Sequence, residues 1–550
     1  MRPLEKEKLP TLPVVDPAVP GSPPGPTRSR TKRSLVVAAG IITLLLFIFS
    51  RSSCSTEFDI PESLRFLLPS TGTNRVKGVK SGVPKLGVPE KIQRRWGQYS
   101  PYFPAGKYVS PPASCVIDQV NILQRHGARY PNKDDDYEVA IERLQSAKKL
   151  HDDLKFLKEY EYTLGEEDLI AFGAQQSFEA GQQAYERYSY LLATTLPFIR
   201  ASGIQRVVDS AGNWSRGFLP PHFLGSPHLP PDAPLPIQII SENVNNTLND
   251  DCPNAPSEEK YTDQWLRQFA PSVIHRLKKM AEGVELEDED VHRLIGVCVF
   301  ETISDGSQEM RGMRRKAAKS PFCDLFTPKN WKEWEYWGNV EKYYKTGYGN
   351  PLGPVRGVGY VNELLARLTQ SKVADHTQHN YSLPFPLDRA LYADFTHENL
   401  MIAVYSVLGL FNVSTPLDPK KMPKDMDREW LASRMVPFSA RMVVERLQCL
   451  TPPEEVGGFE GRQVNPHWSP RLLAGAAEDV KSRKHGTKSG TFVRIFVNDD
   501  LQPLEFCSHD VDRQSAHWQK KHSLCTLGNF VDSQHYARSS GDGDLEKCYN

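Results

Sequence analysis

The feature that most constrains this chain is an apolar run, Cys115 to Leu123, that ends on a charged motif. Only Asp118, Gln119 and Asn121 interrupt the run, and Gln124-Arg125-His126-Gly127-Ala128-Arg129-Tyr130-Pro131 follows it directly. Such a run reads as a largely buried strand. A histidine between two arginines therefore stands where a strand ends, the place where open α/β sheets put their sites. The forked donors of two guanidiniums match a phosphate. Their charge also disfavours imidazolium, so His126 stays neutral and nucleophilic at a lower pH than a free histidine. Gly127 would let a ligand approach the backbone. The chemistry implied is attack by a histidine nitrogen on a phosphoryl group held by arginines. From average residue usage, Arg-His-Gly-x-Arg-x-Pro arises by chance in a chain of this length on the order of once in 10,000 sequences.

The 550 residues suffice for more than one core, and Lys+Arg and Asp+Glu are equal at 67 each, which points away from a nucleic-acid partner. Residues 1–33 read as a disordered, proline-rich tail that ends in Arg28, Arg30, Lys32 and Arg33. An uncharged stretch from Leu35 to Phe49 follows. It is short beside the roughly 20 residues of a typical span. Its distance from Met1, its bulky residues and the weak cleavage pattern at Arg51-Ser52-Ser53-Cys54 favour an uncleaved signal anchor at 34–50 over a cleaved signal peptide. The basic flank sets a cytosolic N-terminus, so the expectation is a single-pass type II membrane protein whose remainder is lumenal or extracellular. Residues 51–95, rich in Gly, Pro and Ser, read as a stalk whose cleavage would release the rest. Sequons at Asn213, Asn245, Asn380 and Asn412 agree with that topology. Of nine cysteines, eight lie beyond residue 100 (Cys115, Cys252, Cys298, Cys323, Cys449, Cys507, Cys525 and Cys548), an even set that suggests four disulfides. No CxxC or HExxH pattern marks a metal site. Cys54 is left over at the membrane edge.

Beyond the motif lies an acidic loop, Asp134-Asp135-Asp136, then helical patterns at Val139–Leu157 and Glu166–Leu192. Phe198 to Gly203 leads into Gln205-Arg206-Val207-Val208-Asp209-Ser210, read as a short apolar strand before a helix with Trp214 and Phe218. Pro236–Ile240 is another strand, and Glu258–Thr327 reads as helices. Leu391–Phe395 is a strand that feeds Thr396-His397-Glu398-Asn399 and an apolar helix, Leu400–Phe411. There a helix N-terminus favours anions. A carboxylic acid at Glu398 would protonate the leaving oxygen, and the carboxylate would then activate water. A literal His-Asp pair at His509-Asp510 lacks this strand-to-helix context and reads as a loop between Cys507 and Cys525.

On the Arg125–Pro131 motif, the chain resembles the histidine acid phosphatases, and among them the fungal phytases. The resemblance runs from Trp96-Gly97-Gln98-Tyr99 through Asn350-Pro351-Leu352-Gly353-Pro354 to the C-terminus. It implies a large α/β-sheet domain with helices on both faces plus a smaller inserted α-helical domain (residues 96–550, the α lobe near 133–195 and 250–345), as in phosphoglycerate mutase-like folds. It implies His126 as nucleophile, Arg125, Arg129 and Arg206 as phosphate ligands, with Arg200 the lesser candidate for the third arginine, His397 as a charge-stabilising partner, Glu398 as proton donor, and Asn399 in the phosphate or water shell. It implies no metal or organic cofactor. It pairs Cys115 with Cys449 (tying the nucleophile strand to the chain's end), Cys252 with Cys548, Cys298 with Cys323, and Cys507 with Cys525. Two departures stand out. Phytases have His-Asp where this chain has His397-Glu398, although inositol-polyphosphate phosphatases of the same superfamily use a Glu. A lysine pair is common where this chain has Glu341-Lys342. The expectation is an acid phosphomonoesterase acting on phytate-like inositol phosphates or broad organic phosphates, with weakened phytate affinity. A narrow inositol-polyphosphate phosphatase, a phosphotransferase or mutase of the same superfamily, a silent phosphate-binding protein and a structural glycoprotein are the alternatives.

Overall fold

A computed structural model describes residues 85–193, 195–219, 235–310, 318–424, 430–451, 488–507 and 513–550. The expected tail, the apolar segment at 34–50, most of the expected stalk, and His509 with Asp510 lie outside these residues. Among the described residues no helix is long and apolar enough to cross a membrane. The folded body begins earlier than Trp96: Leu86 and Val88 are buried, Glu90–Gln93 is helical, and Gln93 donates to the Val88 carbonyl at 2.6 Å. The end of the expected stalk is thus part of the core, because Leu86 and Val88 pack into its main apolar cluster.

The centre is a mixed sheet of eight strands. Its main strands are β1 (Cys115–Arg125), β2 (Phe198–Ser202), β3 (Ile237–Ile240), β4 (Leu391–Thr396), β5 (Arg441–Thr451), β6 (Lys488–Val497) and β7 (Cys525–Thr526). They lie in the order β7-β6-β5-β1-β4-β2-β3, with Asp500–Leu501 turning back on β6. β1, β4, β2 and β3 are mutually parallel, and β5, β6 and β7 continue antiparallel. Parallel strands are covered on both faces and so carry near-continuous apolar sequence; all six residues of β4 are buried. The two faces alternate along each strand. Val443 and Leu447 of β5 join one core with Ile122 and Phe395, whereas Met442 and Val444 join the other with Leu123.

Helices α1 (Tyr137–Gln145), α2 (Ala171–Tyr188), α3 (Gln205–Phe218), α4 (Glu259–Met280), α5 (Asp288–Met310), α6 (Pro328–Lys345), α7 (Val358–Thr369) and α8 (Glu398–Leu408) surround the sheet. α2 and α3 cover one face through Ala180, Ala184, Ala211 and Trp214. α7 and α8 cover the other, and their core runs on into α4, α5 and α6 through Phe269, Val297 and Trp334. The helix expected over Val139–Leu157 stops at Gln145. A short pairing of Lys149–Leu150 with Ala281–Glu282 and a 3-10 turn at Asp152–Lys158 replace its second half. Gln145 caps that turn by donating to the carbonyls of Leu157 and Tyr160 at 2.9 and 2.8 Å. The strand after residue 198 ends at Ser202, and Gln205–Ser210 is already helix. Packing of Val207 against the sheet outweighs the β preference of two adjacent valines.

Disulfides join Cys115 to Cys449, Cys252 to Cys548, Cys298 to Cys323 and Cys507 to Cys525. The first links directly opposed residues of β1 and β5 rather than reaching the chain's end. Cys252–Cys548 is the bond that holds the C-terminus. Such bonds belong to a domain that matures in an oxidising, lumenal or extracellular compartment.

Candidate active site

β1 and β4 are parallel neighbours, with Arg125 opposite Thr396. The next residue of each strand is a histidine, so register alone brings His126 and His397 together. The His126 N–H donates to the Thr396 carbonyl at 3.1 Å, and the two imidazole centroids are 5.5 Å apart.

His126 is buried, and its Nδ1 lies 2.8 Å from the Gly127 carbonyl. A carbonyl only accepts, so Nδ1 carries the hydrogen and Nε2 keeps its lone pair. Burial, and then the charge of Arg125, hold the imidazole well below its ordinary pKa. Arg125 is fully buried. Its Nη1 donates to the carbonyls of Gln98 and of Val436 (2.7 Å to the latter), and its guanidinium lies over Phe438, 4.6 Å from the ring centroid. Arg129 is buried as well and spends Nη1 on the Tyr130 carbonyl at 2.7 Å.

Gly127 has a different reason from the one its sequence suggests. A Cβ there would lie 2.2 Å from the Gly173 carbonyl oxygen, so the close approach is by the backbone of α2 rather than by a ligand. The loop is also held by hydrogen bonds from the Gly127 N–H to Ser210 Oγ at 3.0 Å and from the Ala128 N–H to Gln176 Oε1 at 3.1 Å.

His397 stands at the N-cap position of α8, and Glu398 opens its first turn. Burial, then Arg206, pushes His397 down to about 3. Glu398 Oε2 lies 3.0 Å from Arg125 Nε, as an ion pair outside hydrogen-bond alignment, and 3.9 Å from His126 Nε2. Glu398 Oε1 lies 3.4 Å from Lys342 Nζ. Burial works to raise the pKa of this carboxyl, but Arg125 and Lys342 outweigh it and hold the group well below the usual carboxylate range. Asn399 uses its amide oxygen to accept from Lys342 Nζ at 2.8 Å.

Arg206 lies in the first turn of α3, beyond the end of β2, and its nearest carboxylate is Glu167 at 3.5 Å. Burial, then Arg129, lowers its pKa. Arg200 is elsewhere. It is paired with Asp394 and Glu363, each at 2.7 Å, inside the sheet's own ion network. In the acidic loop, Asp135 accepts from the Asn132 N–H at 2.8 Å and caps its turn, whereas Asp134 and Asp136 are exposed.

Several buried nitrogens in this cluster have no aligned acceptor: Arg125 Nε and Nη2, Arg129 Nε, Arg206 Nε and His397 Nε2. Unsatisfied buried donors are costly, and the four guanidinium nitrogens among these, at and beyond the ends of β1 and β2, can seat an anion with several oxygens. Ser210 and Gln176 are site-supporting residues that motif reading does not single out, and the support that Lys342 gives to Glu398 and Asn399 is not readable from its segment either. They arrive from distant elements and carry no local signature. Among the described residues no cluster of three or more His, Cys, Asp or Glu is placed to hold a metal ion.

The chain is similar to "Phytase A" of Aspergillus fumigatus, at 36% identity over 81% of this chain and 89% of the relative, and to "Phytase A" of Aspergillus oryzae, at 34% over 82% and 90%. The fold is shared with the phytase from D. castellii (TM-score 0.59, 20% identity, covering 84% of this chain and 88% of that one). It is shared also with the Bifidobacterium longum multiple inositol polyphosphate phosphatase (TM-score 0.53, 13% identity, 80% and 97%). The family model for the histidine phosphatase superfamily (branch 2) matches residues 116–498, and with these likenesses it shows that the chain belongs to that superfamily.

Proposed function

We propose that this phosphoric monoester hydrolase works through a phosphohistidine on His126. The observation that carries this reading is the orientation of His126: Nδ1 is tied to the Gly127 carbonyl, and Nε2 is left with its lone pair 3.9 Å from Glu398 in a cradle of arginine donors. Nε2 attacks phosphorus, and the ester P–O bond breaks. The leaving oxygen takes a proton from Glu398, and the arginines and His397 stabilise the charge on the phosphoryl oxygens. Glu398, now a carboxylate, takes a proton from water. The hydroxide attacks phosphorus, the P–N bond breaks, and inorganic phosphate leaves with His126 neutral again.

Glu398 is ionised in the free site. A bound phosphate adds negative charge and competes for Arg125, and both effects raise the proton affinity of Glu398. The proton enters with the phosphate monoanion, which favours acid pH.

The substrates are organic phosphomonoesters, with inositol phosphates supported by the names of the relatives. A preference for esters of lower charge follows from the exposed Asp134 and Asp136 in the loop after the histidine motif and from Glu341 beside Lys342. The test is hydrolysis of p-nitrophenyl phosphate and phytate by the full-length protein from pH 3 to 7, with His126→Ala as control. Loss of both activities and of acid-trapped phosphoprotein in the variant is expected. Unchanged turnover in His126→Ala overturns the reading, and a much higher kcat/KM for phytate overturns the preference.

The topology belongs to the same proposal: an anchor at 34–50 with the enzymatic domain lumenal or extracellular. The basic residues Arg28 to Arg33, the four disulfides and the exposed sequon residues Asn245 and Asn412 support it. Resistance to alkaline carbonate extraction, lost on deletion of 34–50, tests it.

A further inference from the structure

Lys342 is a buried cation that the mechanism above leaves without a task. It comes from α6, in the helical region, and its side chain is only 3% exposed. An ammonium has three N–H donors. Here three side chains share them: Glu341 at 3.0 Å, Glu398 Oε1 at 3.4 Å and Asn399 Oδ1 at 2.8 Å. No donor is left over for a substrate phosphate. Glu341 is held in turn by Gln98 Nε2 at 3.3 Å and lies 3.6 Å from Lys345.

We propose that Lys342, oriented by Glu341, is a positioning residue that holds Glu398 by Oε1 so that Oε2 faces His126. The inference rests on Glu398 being the proton donor. It joins the two departures in sequence, Glu398 and Glu341, into one unit. A glutamate reaches the ammonium from the start of α8, whereas an aspartate would fall short by about one C–C bond, roughly 1.5 Å. Glu341 then offsets the charge that a longer acid would otherwise meet. The same arrangement withdraws a cation from the pocket and so lowers its pull on a polyanion.

Glu398 is faced by Arg125 and His126 from the end of β1 and by Arg129 beyond it. Arg206 of α3, Asp250 and Tyr99 also couple to it electrostatically. Lys342 is the cation at Oε1.

The decisive experiment is the pH profile of kcat for glycerol 2-phosphate, whose poor leaving group needs the acid, measured on the full-length protein. The alkaline limb marks loss of the donor's proton. Lys342→Met should move that limb to higher pH by about 1–3 units, the scale of one adjacent charge, and lower kcat while KM stays within about threefold. Glu341→Gln should move it the other way, because Lys342 then acts more fully on Glu398. In a Glu398→Asp background, Lys342→Met should leave the limb in place, the non-additivity of a broken contact.

An unmoved limb with KM raised more than about tenfold would make Lys342 a substrate-binding lysine and overturn the inference. If Lys342→Met does not fold, Glu341→Gln decides by the sign of its shift. A wild-type enzyme that is inactive or indifferent to His126→Ala overturns the phosphatase reading itself. An active, His126-dependent enzyme whose limb ignores these variants overturns only the role of Lys342.

Discussion

Replacing Gly127 by alanine tests whether the motif's glycine serves a ligand or the fold. Gly127 is not among the residues with positive φ, so the substitution brings no backbone strain, only volume. The added Cβ would lie 2.2 Å from the Gly173 oxygen, 2.6 Å from its carbonyl carbon and 2.7 Å from its Cα. Ordinary carbon–oxygen contact is about 3.3–3.6 Å, so the loop and α2 must separate by about 1 Å. The helix backbone cannot yield as a side-chain tip would, and α2 is pinned to α3 by the close approach of Gly181 to the Trp214 carbonyl. Overpacking of this kind costs about 1–3 kcal/mol. Displacing His126, the proposed nucleophile, by about 1 Å costs on the order of 100-fold in rate. Thermal unfolding and p-nitrophenyl phosphate kinetics on Gly127→Ala should therefore show a lowered Tm and a kcat reduced about 100-fold, and Gly173→Ala, whose Cβ would lie 2.1 Å from the Ala128 oxygen, should reproduce both. A variant with unchanged Tm and kcat but a raised KM would refute the packing argument and restore the ligand-approach reading.

Three further expectations follow from the same contacts. Glu398→Gln should cut turnover of alkyl phosphates by about 10²–10⁴ while sparing the first step on p-nitrophenyl phosphate, and phosphohistidine should accumulate because the second step loses its base; rapid acid quench and phosphoprotein detection would read this. Asp394 is buried, and although burial works to raise its pKa, Arg200 and Arg367 hold it down to about 2 from an ordinary 3.8. Its folded pKa is the lower one, so its contribution of about 2–3 kcal/mol is present above pH 4 and is lost as pH falls toward 2; urea midpoints from pH 6 to 2 should fall less steeply in Asp394→Asn, which starts from a lower value. Removing Cys252–Cys548 by a double serine substitution should cost about 2–5 kcal/mol in denaturant unfolding, since the bond closes a long loop.

The apolar runs at 115–123 and 391–395 were enough to read two buried strands, each ending on a histidine next to charge. Their adjacency was not readable from local pattern, because pairing of distant parallel strands leaves no mark within either one. Helix boundaries slipped where side chains from elsewhere completed a turn, as Gln145 does for the carbonyls of Leu157 and Tyr160. Arg200 and Arg206 could not be separated by residue type. One meets Asp394 and Glu363 inside the sheet, whereas the other opens a helix beside Arg129, and only the fold assigns those neighbours.

By itself, then, the sequence determined the chemistry on offer: a histidine at a strand end, guanidinium donors beside it and a carboxyl at a helix start, each carried in a short contiguous segment whose local conformation follows from periodicity. The tertiary structure decided what state those groups are in. Glu398 is ionised because Arg125 and a lysine from α6 converge on it, His126 is neutral because it is buried beside cations, and Gly127 is small because α2 leaves no room. Charge state and steric room are sums over everything nearby in space, and most of those neighbours lie far away along the chain.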